Sequence, residues 1–88
     1  MKNKVLIKLI VPEIDNTFDL FIPTNEVVWK IKKLIVKSIN DLVGDCLDIT
    51  ANYILINKIN GQIYSNNSTV YTTDIRNASE LVLILEKN

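Results

Sequence analysis

Residues 18–44, FDLFIPTNEVVWKIKKLIVKSINDLVG, change their hydrophobic period once, and that change decides the fold class. Up to Ile22 the pattern is that of a strand, with Phe18, Leu20 and Ile22 on one side and Phe21 on the other. Pro23 has no N–H to continue a ladder. From Val27 the spacing is helical: at 100° per residue Val27, Val28, Ile31, Leu34, Ile35, Ile39 and Leu42 share one broad face, while Lys30, Lys33 and Lys37 gather on the other. Thr24 or Asn25 is placed to cap this helix, Glu26 falls in its first turn, and Gly44 ends it after about Val43. A strand feeding an amphipathic helix predicts a sheet with the helix lying on one face.

Outward from this junction the chain supplies the rest of the sheet. Val5, Ile7, Leu9 and Val11 alternate with Leu6, Lys8 and Ile10, and Pro12 closes the run before the turn residues Asp15 and Asn16. This strand and Thr17 to Ile22 form a hairpin. Beyond the helix, Tyr53 to Ile59 is rich in β-formers, Asn60-Gly61 signals a two-residue hairpin that sets Ile59 opposite Gln62, and Gln62 to Ser65 returns as a short strand. Thr69 to Ile75 reads as a turn or 3₁₀ segment. Glu80 to Leu85 is the last strand, its LVLIL run predicting burial on both faces. The expectation is one α+β domain over residues 1–88, ββαββ followed by β, with a mixed five-stranded sheet and one long helix on one face.

Composition narrows the function. Ten basic residues balance ten acidic ones, so no long-range field draws nucleic acid or an anionic membrane. The opening MKNKVLIKLIV imitates a secretory leader, but Lys8 interrupts it and Pro12 ends it, so it reads as a strand. No run approaches the roughly 20 apolar residues needed to insert in a bilayer. There is no histidine, and Cys46 is the only cysteine, which removes the usual zinc, disulfide and redox sites and fits a reducing compartment. Cys46, beside Leu47, reads as a buried thiol. Without histidine, an activated nucleophile or a glycine-rich phosphate loop, neither enzyme chemistry nor a cofactor is expected. Asp41, Asp45 and Asp48 lack the spacing of a calcium loop, and Lys30, Lys32, Lys33 and Lys37 read as a solvated face.

Two strands, a long helix, a second hairpin and a final apolar strand resemble the β-grasp of ubiquitin. The stretch from Gly61 through Val70 to Ile75, Leu81 and Leu83 is similar to ubiquitin's second half, with Val70 as the apolar anchor of the short turn. More specifically, FDLFIP before the helix and GQIYSNNSTVYTTDI after the tight turn resemble the YukD/EsaB family, small ubiquitin-like proteins of Gram-positive type VII secretion systems. The resemblance implies a cytoplasmic accessory or regulatory component of a membrane-embedded machine that exports small helical WXG-type proteins. The runner-up, a conjugated modifier or sulfur carrier of the same fold, needs a C-terminal Gly-Gly, whereas this chain ends Leu85-Glu86-Lys87-Asn88.

A docking surface is legible in the apolar surplus. If the helix covers Val5, Ile7, Leu9, Phe18, Leu20, Ile22, Leu81 and Leu83, alternation turns Leu6, Ile10, Phe21, Val82 and Ile84 to the uncovered face, where Ile54 and Ile56 join them. That register sends Asn57 inward, an awkward place for an amide. A patch of this kind on so small a domain marks an interface, with a larger component or a second copy of the chain. On the helix, Trp29 recurs with Val36 and Val43 every seven residues on a flank off the core stripe, making Trp29 a second candidate anchor.

Overall fold

The computed structural model describes residues 3–86; Met1, Lys2, Lys87 and Asn88 lie outside the described residues, and with them the last two positions on which the carrier reading turns. The first hairpin joins β1 (Lys4–Val11) to β2 (Asn16–Pro23), paired from Lys4 opposite Pro23 to Val11 opposite Asn16. The chain reverses through a 3₁₀ turn at Pro12–Ile14, after which Asp15 takes a left-handed φ of 51°, a conformation that aspartate tolerates better than most residues. Helix α1 (Val28–Val43) follows, then β3 (Tyr53–Asn57), a second 3₁₀ turn at Val70–Thr72, and β4 (Glu80–Leu85). The sheet order is β2-β1-β4-β3, with β4 parallel to β1 and antiparallel to β3. The result is a mixed sheet with one helix on it, the α+β arrangement expected.

The core forms where the helix meets the sheet. Ile31, Ile35 and Ile39 of α1 pack with Ile7, Leu9, Leu55, Leu81 and Leu83, all essentially inaccessible to water. Val70 is fully buried at the head of its 3₁₀ turn, the anchor read from the sequence. No helix among the described residues is long and apolar enough to cross a membrane.

Among the described residues the sheet has four strands where the sequence predicts five. Strand β3 stops at Asn57, not Ile59, because Asn57 itself turns the chain: its Oδ1 accepts the N–H groups of Ile59 and Asn60. Its own N–H donates to the Gln62 carbonyl, and the Gly61 N–H donates to the Asn57 carbonyl, so residues 58–61 form the loop and Asn57 replaces Ile59 opposite Gln62. Within the returning segment Gln62 to Ser65 only an isolated Ile56–Ile63 bridge remains. The register slips by two residues, an even number, so Ile56 keeps its face. The inward amide is satisfied: Asn57 Nδ2 donates to the Tyr64 hydroxyl at 3.1 Å and to Asp74 Oδ2 at 3.3 Å.

Neither Thr24 nor Asn25 caps the helix. Val27 is extended at the N-cap and bridges Thr69, and the Val28 and Trp29 N–H groups donate to the Ser68 and Asn66 carbonyls at 2.9 and 3.2 Å. A distant loop thus supplies by backbone what a capping side chain supplies locally. Glu26 precedes the helix and pairs with Lys30 at 3.8 Å. Gly44 ends α1 as expected, at φ 88°.

The buried stripe of α1 is rotated from the expected one. Val36 and Asn40 are buried, whereas Leu34 and Leu42 are exposed. The cause is the segment after the helix, which folds over the Val36 side: Asn40 Nδ2 donates to the Leu47 carbonyl, and its Oδ1 accepts the N–H groups of Leu47 and Cys46. Leu47 takes the buried place in that segment, so Cys46 is exposed, contrary to the sequence reading. The last strand is also not buried on both sides: Leu81 and Leu83 face the helix, but Ile84 is 39% exposed.

Candidate interaction surface

Pairing of the strands arranges the uncovered face in rows. One row runs through Ile10, Val82 and Ile56 and is prolonged by Ile63, and Ile54 sits opposite Ile84 in the neighbouring row. Leu6 lies opposite Phe21 at the far end of the first hairpin. All seven residues proposed for this face therefore share it, with Phe21 57% exposed and Leu6 39%. Ile63, which is exposed, belongs to the same field and was omitted from the expected set; its shared face with Ile56 was the available signal.

The face is nevertheless two apolar fields, not one. Between them lies a charged row in which Asp19 and Glu80 flank Lys8, and Lys58 continues it by donating an ion pair to Glu80 at 3.4 Å. Adjacent same-face rows in a sheet stand about 7 Å apart, so a partner covering both fields must also satisfy this row. Its signs alternate, which favours a polar partner strip of matching alternation and gives the surface orientation as well as area.

Trp29 is not on this face. It stands 42% exposed on the flank of α1, with Lys30 Nζ 5.5 Å from its ring centroid. Of its two heptad companions, Val36 is core and Val43 is exposed. Lys32, read as part of a solvated face, is instead half-buried, and its Nζ donates to the Tyr53 carbonyl at 2.6 Å. Burial lowers its pKa from the usual lysine value, and the Glu86 carboxylate works in the opposite direction.

Elsewhere polar groups serve structure. Tyr64 donates its hydroxyl to Asp74, and burial together with that bond pushes its pKa up to about 12, leaving a phenol held neutral at physiological pH. Asp48 is bonded to the Thr50 hydroxyl and N–H, which lowers its pKa and fixes the loop. No group of three or more acidic, cysteine or histidine side chains that could hold a metal occurs among the described residues.

Neither a family model nor a curated protein matches the sequence. Solved structures match it in fold. One chain of the MycP5-free ESX-5 inner membrane complex superposes with a TM-score of 0.80 at 13% identity over 98% of this chain, which spans 22% of that one. The ubiquitin-like domain of the Mycobacterium tuberculosis type VII secretion system protein EccD1 gives 0.70 at 12% identity, covering 92% of this chain and 97% of the other. The UBL domain of Plasmodium falciparum Dsk2 gives 0.71 at 13% identity, covering 94% and 99%. The fold is that of the ubiquitin-like β-grasp.

Proposed function

We propose that this domain is a non-enzymatic protein-interaction module that docks through the uncovered sheet face, and that it serves as a cytoplasmic accessory or regulatory component of a type VII secretion system, in the manner of the YukD/EsaB proteins. The observation that carries the docking role is the face itself: Leu6 and Phe21 at one end and Ile84 and Ile63 at the other are exposed, Ile10, Ile54, Ile56 and Val82 are half-buried beside them, and no helix or strand among the described residues covers this side of the sheet. Exposed apolar fields drawn from several adjacent strands cost solubility and mark interaction sites. The secretion role is supported by the fold likeness to the ESX-5 and EccD1 chains together with the FDLFIP and GQIYSNNSTVYTTDI stretches. The partner is a protein, either a secretion component at the membrane or a second copy of this chain.

The test uses Phe21→Lys and Ile84→Lys, one charge in each field. Both are expected to remain folded by circular dichroism and to lose complementation of secretion in a deletion strain. Ile7→Lys, a charge in the core, is expected to prevent folding. Full secretion with both surface variants would remove the face from the function.

A further inference from the structure

Beside α1, on the flank that meets the post-helix segment, the surface folds into a groove of about 440 Å³. Its apolar lining comes from Trp29, Val36, Ile49 and Tyr53, with Ile49 strongly exposed. Lys32, Lys33 and Lys37 line it as well, and no acidic side chain does. Lys33 makes no ion pair with a described residue, and Lys37 pairs only with the exposed Asp41 at 3.6 Å. Lys32 is held in place by the Tyr53 carbonyl and is partly stripped of water. The Glu86 carboxylate acts on Lys32 and Asp41 on Lys37, but neither lines the recess; in a chain with no net charge, the three lysines leave an excess of positive charge around it, which selects an anionic occupant with an apolar body.

We propose that the groove between α1 and the Ile49–Tyr53 segment is a second docking site, which takes an acidic linear peptide segment that lays one bulky apolar side chain against Trp29 and sets its carboxylates against Lys33 and Lys37. The volume lies within the range of about 300–1,000 Å³ in which recesses bury a ligand. Asn52 and Asn66 also line the groove, and their side-chain amides make no hydrogen bond to described residues, leaving a donor and an acceptor each for a peptide backbone. A nucleic-acid strand fits less well: Tyr53 is buried, so the indole is the one aromatic ring in the lining open to stack on, where strand-binding grooves use several. The site is on the flank of the helix, away from the uncovered sheet face, and stands independently of the role proposed for that face.

Trp29 is the only tryptophan in the chain, so its emission reports the groove directly. The full chain would be titrated with a peptide in which an acidic run flanks one leucine-phenylalanine pair, with the same peptide carrying serines in place of that pair, and with a short oligothymidylate. The first is expected to give a saturable blue shift that weakens with added salt, and the other two to bind at least about tenfold more weakly. Lys33→Glu and Lys37→Glu, both at exposed positions, are each expected to weaken the first peptide about tenfold with unchanged circular dichroism. Phe21→Lys is expected to leave its binding unchanged. The assignment is overturned by the absence of a saturable shift, by equal binding of the serine peptide or the oligothymidylate, by indifference to either charge reversal, or by loss of binding in Phe21→Lys.

Discussion

Asn40→Ala deletes the bracket that holds the post-helix segment against α1. The amide makes three backbone bonds: Nδ2 to the Leu47 carbonyl at 2.9 Å, and Oδ1 from the N–H groups of Leu47 at 2.9 Å and Cys46 at 3.1 Å. Cys46 is exposed and recovers its partner from water, but Leu47 is buried, so its carbonyl and N–H are both left unpaired. At about 1–3 kcal/mol for each orphaned buried group, the expected cost is about 2–4 kcal/mol after partial relaxation. A domain of this size has about 4–13 kcal/mol in total, so the loss is a large fraction, equivalent to a fall in Tm of about 10–20 °C. Urea unfolding followed by both Trp29 fluorescence and far-ultraviolet circular dichroism measures it, the midpoint falling while the slope stays constant. Because Ile49 and Tyr53 belong to the same segment, the emission of folded Asn40→Ala should also shift toward that of a more solvated indole. A loss below about 0.5 kcal/mol, the scatter of ordinary surface changes, would mean that the bracket does not hold the segment and that the burial of Val36 has another cause.

Tyr64, with its phenol raised to about 12 against an unfolded value near 10, contributes stability that is complete below pH 10 and lost as pH rises from 10 through 12; Tyr64→Phe should remove one late-titrating phenol from the alkaline difference spectrum and leave that of Tyr53, which burial also raises. Leu83→Ala should cost about 2–5 kcal/mol by chemical denaturation, since that side chain is 1% exposed, whereas Ile84→Ala, one residue along on the open face, should cost well under half of that. Gly61→Ala meets no atom within 4 Å, so its penalty is backbone alone, about 1–2 kcal/mol for a side chain at φ 74°. The Cys46 thiol is exposed and should react stoichiometrically with Ellman's reagent in the native protein, without denaturant.

What the sequence revealed and what it hid divide along the range of the interactions involved. The hairpin, the proline stops at Pro12 and Pro23, the Gly44 cap and the bounds of the last strand follow from local chemistry, and each stands where the residues put it. The face of each apolar residue named on β1 to β4 follows from period two alone, so all seven expected residues share the uncovered face although the second hairpin is displaced by two residues, and only Ile63 on the returning segment is missing from them. The misses come from contacts distant in sequence. Nothing near Val28 announces that carbonyls of Asn66 and Ser68 will cap its helix, and nothing near Val36 announces the segment that covers it. Asn57 looked awkward inward because its partners Tyr64 and Asp74 arrive from later turns. The lysine groove was hidden for the same reason, since its second wall, Ile49 to Tyr53, is brought in by Asn40 and not by any periodicity of the helix.

The role of the uncovered face is tested most directly by placing a photoactivatable crosslinking residue at Phe21, at Ile84 and, as a control at an exposed position of the second 3₁₀ turn, at Thr72, and irradiating living cells of the native host. The expected result is a discrete covalent adduct with a protein from both Phe21 and Ile84, absent from Thr72 and abolished by a lysine at whichever of the two sheet positions does not carry the probe. Adducts from Thr72 with none from Phe21 or Ile84, or no adduct from either sheet position while secretion depends on the protein, would contradict docking through this face.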